Sequence, residues 1–253
     1  MVKKRLFVLT GASRGMGAAI AAQLLAPDHV LLCISRQRSD ALAARADASK
    51  AICEQWPLDL SQPVEAAAKL QAWIGSLDGT TFESVALINN AAALTRIGPV
   101  DECSDAELAS ALRVGLEAPL LLSAAFLRGT RGWAADKRVL NISSGLGRRA
   151  MAGQASYCAS KAGMDHLTRA MALDEANRPN GAKLVSLAPG VIDTDMQVHM
   201  RAGDAAGFPE KATFVGLKEK GQLTSAADAA ARVLAYLNRA DFGASAVADV
   251  RDA

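Results

Sequence analysis

A doubly wound α/β fold is the expectation from three observations: a single domain over residues 1–253, with a central seven-stranded parallel sheet and helices on both faces. Short apolar runs alternate with Ala/Leu-rich stretches of helical period from one end of the chain to the other. The runs are almost continuously apolar, as in strands that are covered on both faces. No Pro/Gly/Ser-rich linker or change of composition divides the chain, and an apolar content of 51% is ample for one large core.

The first element is a strand at 6–9. The start Met1-Val2-Lys3-Lys4-Arg5 briefly imitates a signal peptide, but its apolar run is short and passes straight into Thr10-Gly11. A glycine-rich turn, Thr10-Gly11-Ala12-Ser13-Arg14-Gly15-Met16-Gly17, leads into a helix at 16–25. Strands follow at 30–35, 52–58, 85–89, 138–142, 183–188 and 244–250, each on an apolar run. Helices at 63–74, 105–127, 156–177 and 225–237 lie between them, and right-handed crossovers place them on both faces. Thr10, Asn89, Ser143 and Pro189 then fall just past the carboxyl ends of strands, on the rim where such sheets bind ligands. Residues 193–223 show no clear strand and carry Met196, Met200, Phe208 and Phe214. A long loop of this kind reads as a lid over a substrate.

Composition excludes several functions. The net charge is +2, basic residues are scattered, and three Trp and two Tyr leave little to stack on bases, so nucleic-acid binding is not expected. No apolar stretch is expected to span a bilayer. Cys33, Cys53, Cys103 and Cys158 have no CxxC spacing, and His29, His166 and His199 do not cluster with them. Free thiols in a reducing cytoplasm and no metal site are the expectation, with Cys158 in a packing role.

The glycine-rich turn suits a dinucleotide. Gly11 permits the tight turn, while Gly15 and Gly17 let backbone and helix approach a pyrophosphate. The helix that opens near Met16 directs N–H groups and its positive dipole end at the phosphates. An acid at the end of the second strand would favour NAD. Here the strand ends Cys33-Ile34-Ser35-Arg36, and Arg36 with Arg14 can clamp a 2′-phosphate, so NADP(H) is the expected cofactor. Two merely solvated arginines are the plain alternative.

Tyr157 and Lys161 are four residues apart in a helical stretch and share one face. A free tyrosine, with a pKa of about 10, is a poor acid–base group at neutral pH. An ammonium about 4 Å from the phenolate, at an effective dielectric of about 20, contributes roughly 4 kcal/mol. That is enough to lower the tyrosine by about three units, toward the range where a general acid works best.

Thirteen residues separate Ser144 from Tyr157. In order and spacing, the glycine-rich turn, Ser144, Tyr157 and Lys161 resemble the short-chain dehydrogenase/reductase family, a Rossmann-fold family, over almost the whole chain. The resemblance implies an enzyme in which hydride passes between a nicotinamide and a carbonyl carbon. Tyr157 would protonate the carbonyl oxygen, Ser144 would donate a hydrogen bond to it, and Lys161 would also hold the nicotinamide ribose. The thirteen-residue interval selects Ser144 rather than the adjacent Ser143. Asp59 and Leu60 would meet the adenine, and Asn90, Ala91 and Ala92 would line the adenosine ribose, with Ala92 where the family usually has Gly. Pro189-Gly190-Val191-Ile192-Asp193-Thr194 matches the segment that holds the carboxamide, which implicates Pro189, Gly190, Val191 and Thr194. Gly115 stands where many members carry an asparagine that supports a proton-relay water.

The segments 188–197 and 217–223, with the ending Asp241–Asp249, resemble the sepiapterin reductase branch, which includes bacterial benzil reductases. The expected substrate is a small ketone with a second carbonyl beside it, or a pterin side-chain ketone. Asp249 would be its polar anchor, in a pocket lined by Met196, Leu146 and the apolar lid. A 3-oxoacyl-thioester reductase and a non-catalytic NADP(H)-sensing protein are the other readings. By resemblance, the long helices at 105–127 and 156–177 form a subunit interface in a homodimer or homotetramer.

Overall fold

The computed structural model describes residues 3–204 and 207–252; Met1, Val2, Ala205, Ala206 and Ala253 lie outside the described residues. Its centre is a seven-stranded sheet in the order β3-β2-β1-β4-β5-β6-β7, parallel throughout. The strands are β1 (Lys4–Thr10), β2 (His29–Ser35), β3 (Ile52–Pro57), β4 (Phe82–Asn89), β5 (Asp136–Ile142), β6 (Lys183–Ala188) and β7 (Val247–Asp249). The order reverses between β1 and β4, which opens a crevice at their carboxyl ends.

The unbroken apolar runs are explained by two cores. Leu6, Val8, Leu32, Ile34, Leu87 and Val139 point to one face of the sheet. They pack there against Leu70 and Ile74 of α3 (Pro63–Gly75) and Leu122 and Phe126 of α5 (Ala118–Gly129). Phe7, Leu9, Leu31, Cys33, Ile88 and Leu140 point to the other face. Their partners are Ile20 of α1 (Gly15–Gln23) and Val233 and Leu237 of α9 (Ala226–Leu237). Each fully buried Leu or Phe contributes about 1.5–3 kcal/mol, so both faces of every central strand are worth covering.

Four elements differ from the expectation. A helix absent from the sequence reading, α2 (Asp40–Ser49), buries only Leu42 and Ala46, too few apolar positions to mark a periodicity. Its signal is the cap: the Ser39 side chain accepts from Leu42 N. The long central helix begins with α4 (Asp105–Leu112) on a Ser104/Glu107 capping box, but Arg113–Glu117 form a π turn before α5 resumes. β7 is shorter than the expected strand, and Gly243 before it has φ +93 where a Cβ would lie 2.9 Å from Lys183 Cβ. The lid region is not structureless. It carries α7 (Asp195–Ala202) and α8 (Lys211–Glu219), which Met200, Phe208 and Phe214 pack against the body of the fold.

Asp105–Gly129, 25 residues holding an 18-residue window of mean hydropathy 1.4, is long and apolar enough to cross a membrane, which corrects the expectation that no stretch would be. Half of its apolar window is buried in the fold, where Leu122, Ala125 and Phe126 face the sheet. Among the described residues, no group of His, Cys, Asp and Glu could hold a metal ion.

Candidate active site

The turn after β1 is built around close backbone approach. Gly11 has φ +71 and its N–H donates to Ile34 O at 2.8 Å. Asn90 Nδ2 donates to Thr10 O and Gly11 O at 3.0 and 3.2 Å, and Thr10 Oγ1 accepts from Asn90 N and Ala91 N. A Cβ on Gly17 would lie 2.0 Å from Gly11 O, and one on Gly11 would lie 2.9 Å from Ala91 Cα. No other residue fits either place. Arg14 provides no side-chain cap for α1, so the first N–H groups of that helix remain available to an anion. This cradle fits a dinucleotide pyrophosphate.

Every residue named from the sequence for cofactor, catalysis or substrate lines one continuous cleft of about 1060 Å³. It runs from Arg36 and Asp59, past the glycine-rich turn, to Tyr157, Met196 and Asp249. Arg36 is exposed on its wall. Arg14 is paired, its Nη1 3.2 Å from Asp195 Oδ2 at the start of α7, so the cofactor turn and the lid are bridged. Asp59 accepts from Ser61 N at 2.9 Å, which fixes its turn.

Ser144, just past β5, Tyr157 and Lys161, both on α6 (Ala155–Ala176), meet in the middle of this cleft. Ser144 is hydrogen-bonded to the Tyr157 hydroxyl, and Ser144 Oγ also accepts from Leu146 N at 3.1 Å. Lys161 is buried, with Nζ donating to Ile142 O at 2.6 Å and lying 5.5 Å from the centre of the Tyr157 ring. Burial pushes Tyr157 up to about 12, opposed by its hydrogen bond to Ser144. Burial pushes Lys161 down to about 8, opposed by the charge of Asp165. The expected lowering of the tyrosine is therefore corrected. Loss of water outweighs the hydrogen bond from Ser144, and the Lys161 ammonium donates its hydrogen bond to the Ile142 carbonyl rather than to Tyr157.

Ser143 is committed elsewhere. Its Oγ donates to Asp165 Oδ1 at 2.6 Å, and Ser186 Oγ donates to the same atom at 2.7 Å. Asp165 Oδ2 lies 3.3 Å from Arg148 Nε. Arg148 also donates to Ala248 O and approaches Asp249 at 3.9 Å. Asp249 accepts from Arg251 Nε at 2.8 Å and from Arg251 Nη2 at 2.6 Å. The Arg251 guanidinium holds the Asp249 carboxyl below the usual range, and both its oxygens are engaged. The anchor read from the sequence is thus one half of an ion pair.

Gly115 sits in the π turn against α6, where a Cβ would lie 2.8 Å from Ser160 Oγ. The space an asparagine would need belongs to Ser160, which donates to Ser156 O at 2.8 Å. Beyond Tyr157, Leu94, Leu146, Met151, Met196, Met200 and Phe214 line the cleft, backed by the buried Ile97 and Phe208. Asp165, Arg148, Arg251 and Gln197 are missing from the sequence reading. Only Asp165 had a local signal, four residues beyond Lys161 on the same helix face.

The model of the short chain dehydrogenase family matches residues 5–205. A benzil reductase ((S)-benzoin forming) of Bacillus cereus is 34% identical over 221 residues, covering 87% of this chain and 89% of that protein. A sepiapterin reductase of Meriones unguiculatus is 31% identical over 266 residues, covering 97% and 95%. Among solved structures, a short-chain dehydrogenase/reductase of Burkholderia vietnamiensis is 34% identical with a TM-score of 0.67, covering 100% of this chain and 99% of that one.

Proposed function

Because the chain belongs to the short-chain dehydrogenase family, we propose that it is an NADPH-dependent reductase of ketones that carry a second carbonyl beside the first. The observation that carries the reading is the meeting of Ser144, Tyr157 and Lys161 in one cleft, between a glycine cradle and an apolar pocket. When bound, the nicotinamide supplies the hydride. Tyr157, protonated throughout the neutral range, donates its proton to the substrate oxygen. Ser144 donates a hydrogen bond to that oxygen as charge grows on it. The Lys161 ammonium stabilises the phenolate left behind. Gly11, Ser13, Gly15, Met16 and Gly17 hold the pyrophosphate. Arg36 takes the 2′-phosphate, since β2 ends without an acid.

The pocket favours an apolar vicinal diketone over a pterin. Met and Phe side chains line it, and Arg251 already occupies the carboxylate that a pterin would use. The non-catalytic reading loses its ground because a sensor has no need of this triad. We place the enzyme in a reducing cytoplasm, in keeping with four free cysteines. Residues 1–253 act as one domain under a lid at 193–223, and copies associate as a homodimer or homotetramer. NADPH oxidation with benzil, sepiapterin and a 3-oxoacyl thioester tests the assignment, with benzil expected to be fastest. Tyr157→Phe is expected to abolish turnover while NADPH still binds. Near-normal turnover by that variant would sink the mechanism.

A further inference from the structure

Gln197, in the first turn of α7, carries a buried polar group that the reaction above does not use. The residue is 6% exposed and lines the cleft, and its Oε1 has no hydrogen-bond partner. An unpaired amide oxygen is costly to bury, and in a residue that lines the cleft the amide is a hydrogen-bonding group that a ligand could use. Its position is definite. Gln197 N donates to Thr194 O at 2.8 Å, one turn beyond the segment proposed to hold the nicotinamide. Its neighbour Met196 and, one turn on, Met200 pack in the cluster that contains Tyr157 and Leu146. Gln197 is therefore placed on α7 between the Pro189–Thr194 segment and the cluster around Tyr157, on the wall of the cleft.

We propose that Gln197 is a specificity-determining residue that engages the oxygen on the carbon next to the reacting carbonyl. This deepens the reductase reading above and rests on it. Ser144 and Tyr157 serve the reacting oxygen, which leaves the adjacent one to be matched from across the cleft. A side-chain amide suits that task because it donates through Nε2 to a carbonyl and accepts through Oε1 from a hydroxyl. Oε1 has no partner in the structure, so no hydrogen bond holds the amide in one orientation at that end. The substrate class that follows is ketones oxygenated at the adjacent carbon, as vicinal diketones or α-hydroxyketones. Simple ketones of the same shape leave the amide unpaired and are disfavoured.

Benzil and deoxybenzoin, in which a methylene replaces one carbonyl, separate hydrogen bonding from fit. Each is assayed by NADPH oxidation with the unmodified enzyme and with Gln197→Met, which keeps length and loses both polar groups. The ratio of kcat/KM for benzil to that for deoxybenzoin is expected to fall about three- to tenfold in the variant, the effect of one neutral hydrogen bond. Gln197→Leu, of different shape, is expected to lower the ratio equally. NADPH affinity measured on the same samples reports the cofactor end. A ratio unchanged in both variants, or lowered in only one of them, overturns the proposal and leaves the reductase assignment standing. Failure of the unmodified enzyme to reduce either compound overturns the assignment itself, and this inference with it.

Discussion

Lys161 shows at one residue how stability is given up for chemistry. Its ammonium is buried, and its pKa falls from 10.5 to about 8. At about 1.4 kcal/mol per pKa unit, burying the charge destabilises the fold on the order of 3 kcal/mol. The sign follows from protons. Between about 8 and 10.5 the unfolded chain holds a proton that the folded one has lost, so the penalty is complete below about pH 8 and fades as pH rises toward 10.5. Lys161→Met is expected to raise Tm at pH 7 and to lose turnover, with the gain in Tm closing as pH approaches 10.5. Melting curves across that range, beside NADPH oxidation, check both halves. At the other end of the cleft, Arg36→Ala would remove the proposed charge-assisted contact to a 2′-phosphate, worth about 1.5–3 kcal/mol. NADPH affinity is expected to fall about ten- to a hundredfold while NADH is little affected. Equal affinity for both nucleotides in the unmodified enzyme would reject the arginine clamp.

At the scale of elements, the π turn between α4 and α5 ties a local sequence choice to the catalytic helix. Ala118 N–H reaches back to Arg113 O, and Gly115 lets Ser160 approach where a side chain would stand. Gly115→Asn, which restores the residue common in the family, is expected to destabilise the fold by about 1–3 kcal/mol through overpacking. For a chain of this size that lowers Tm by several degrees, roughly 2–4 °C per kcal/mol. An unchanged Tm would show that Ser160 yields without strain. The sequence made the strands legible because Leu6–Leu9 or Val85–Ile88 must fill two faces at once, which leaves no polar interruption. It also made the glycine turn and the Tyr157/Lys161 pair legible, since both are local patterns within one or two turns of chain. It did not reveal α2, whose inward face is little more than Leu42 and Ala46. The π turn stayed hidden because one extra residue in a helix leaves the apolar period almost unchanged. The ion pair of Asp249 with Arg251, its approach to Arg148, and the orphan amide of Gln197 come from segments joined only by the fold.

For the whole molecule, the proposed association of copies can be tested on what the helices leave uncovered. Leu112 on α4, Leu120 on α5 and Leu173 on α6 are 39%, 42% and 70% exposed. They lie on the two long helices that the family resemblance assigns to subunit contact. Leu120→Glu with Leu173→Glu places charges in that face and is expected to give a species of monomer mass in sedimentation. A mass equal to that of the unmodified protein would move the interface elsewhere.

The ion pairs that run from Asp165 through Arg148 and Asp249 to Arg251 have a consequence for synthesis. They fasten the turn bearing Ser144 to the final strand, yet β7 and Arg251 are translated after every other element of the sheet. A nascent chain holds the glycine turn and Asn90 within its first hundred residues, but the domain folds as a unit. Its serine turn stays unfastened until Arg251 has cleared the ribosome. A chain that stops before Arg251 is therefore expected to leave Asp249 without that partner and to melt at a lower temperature than the full chain.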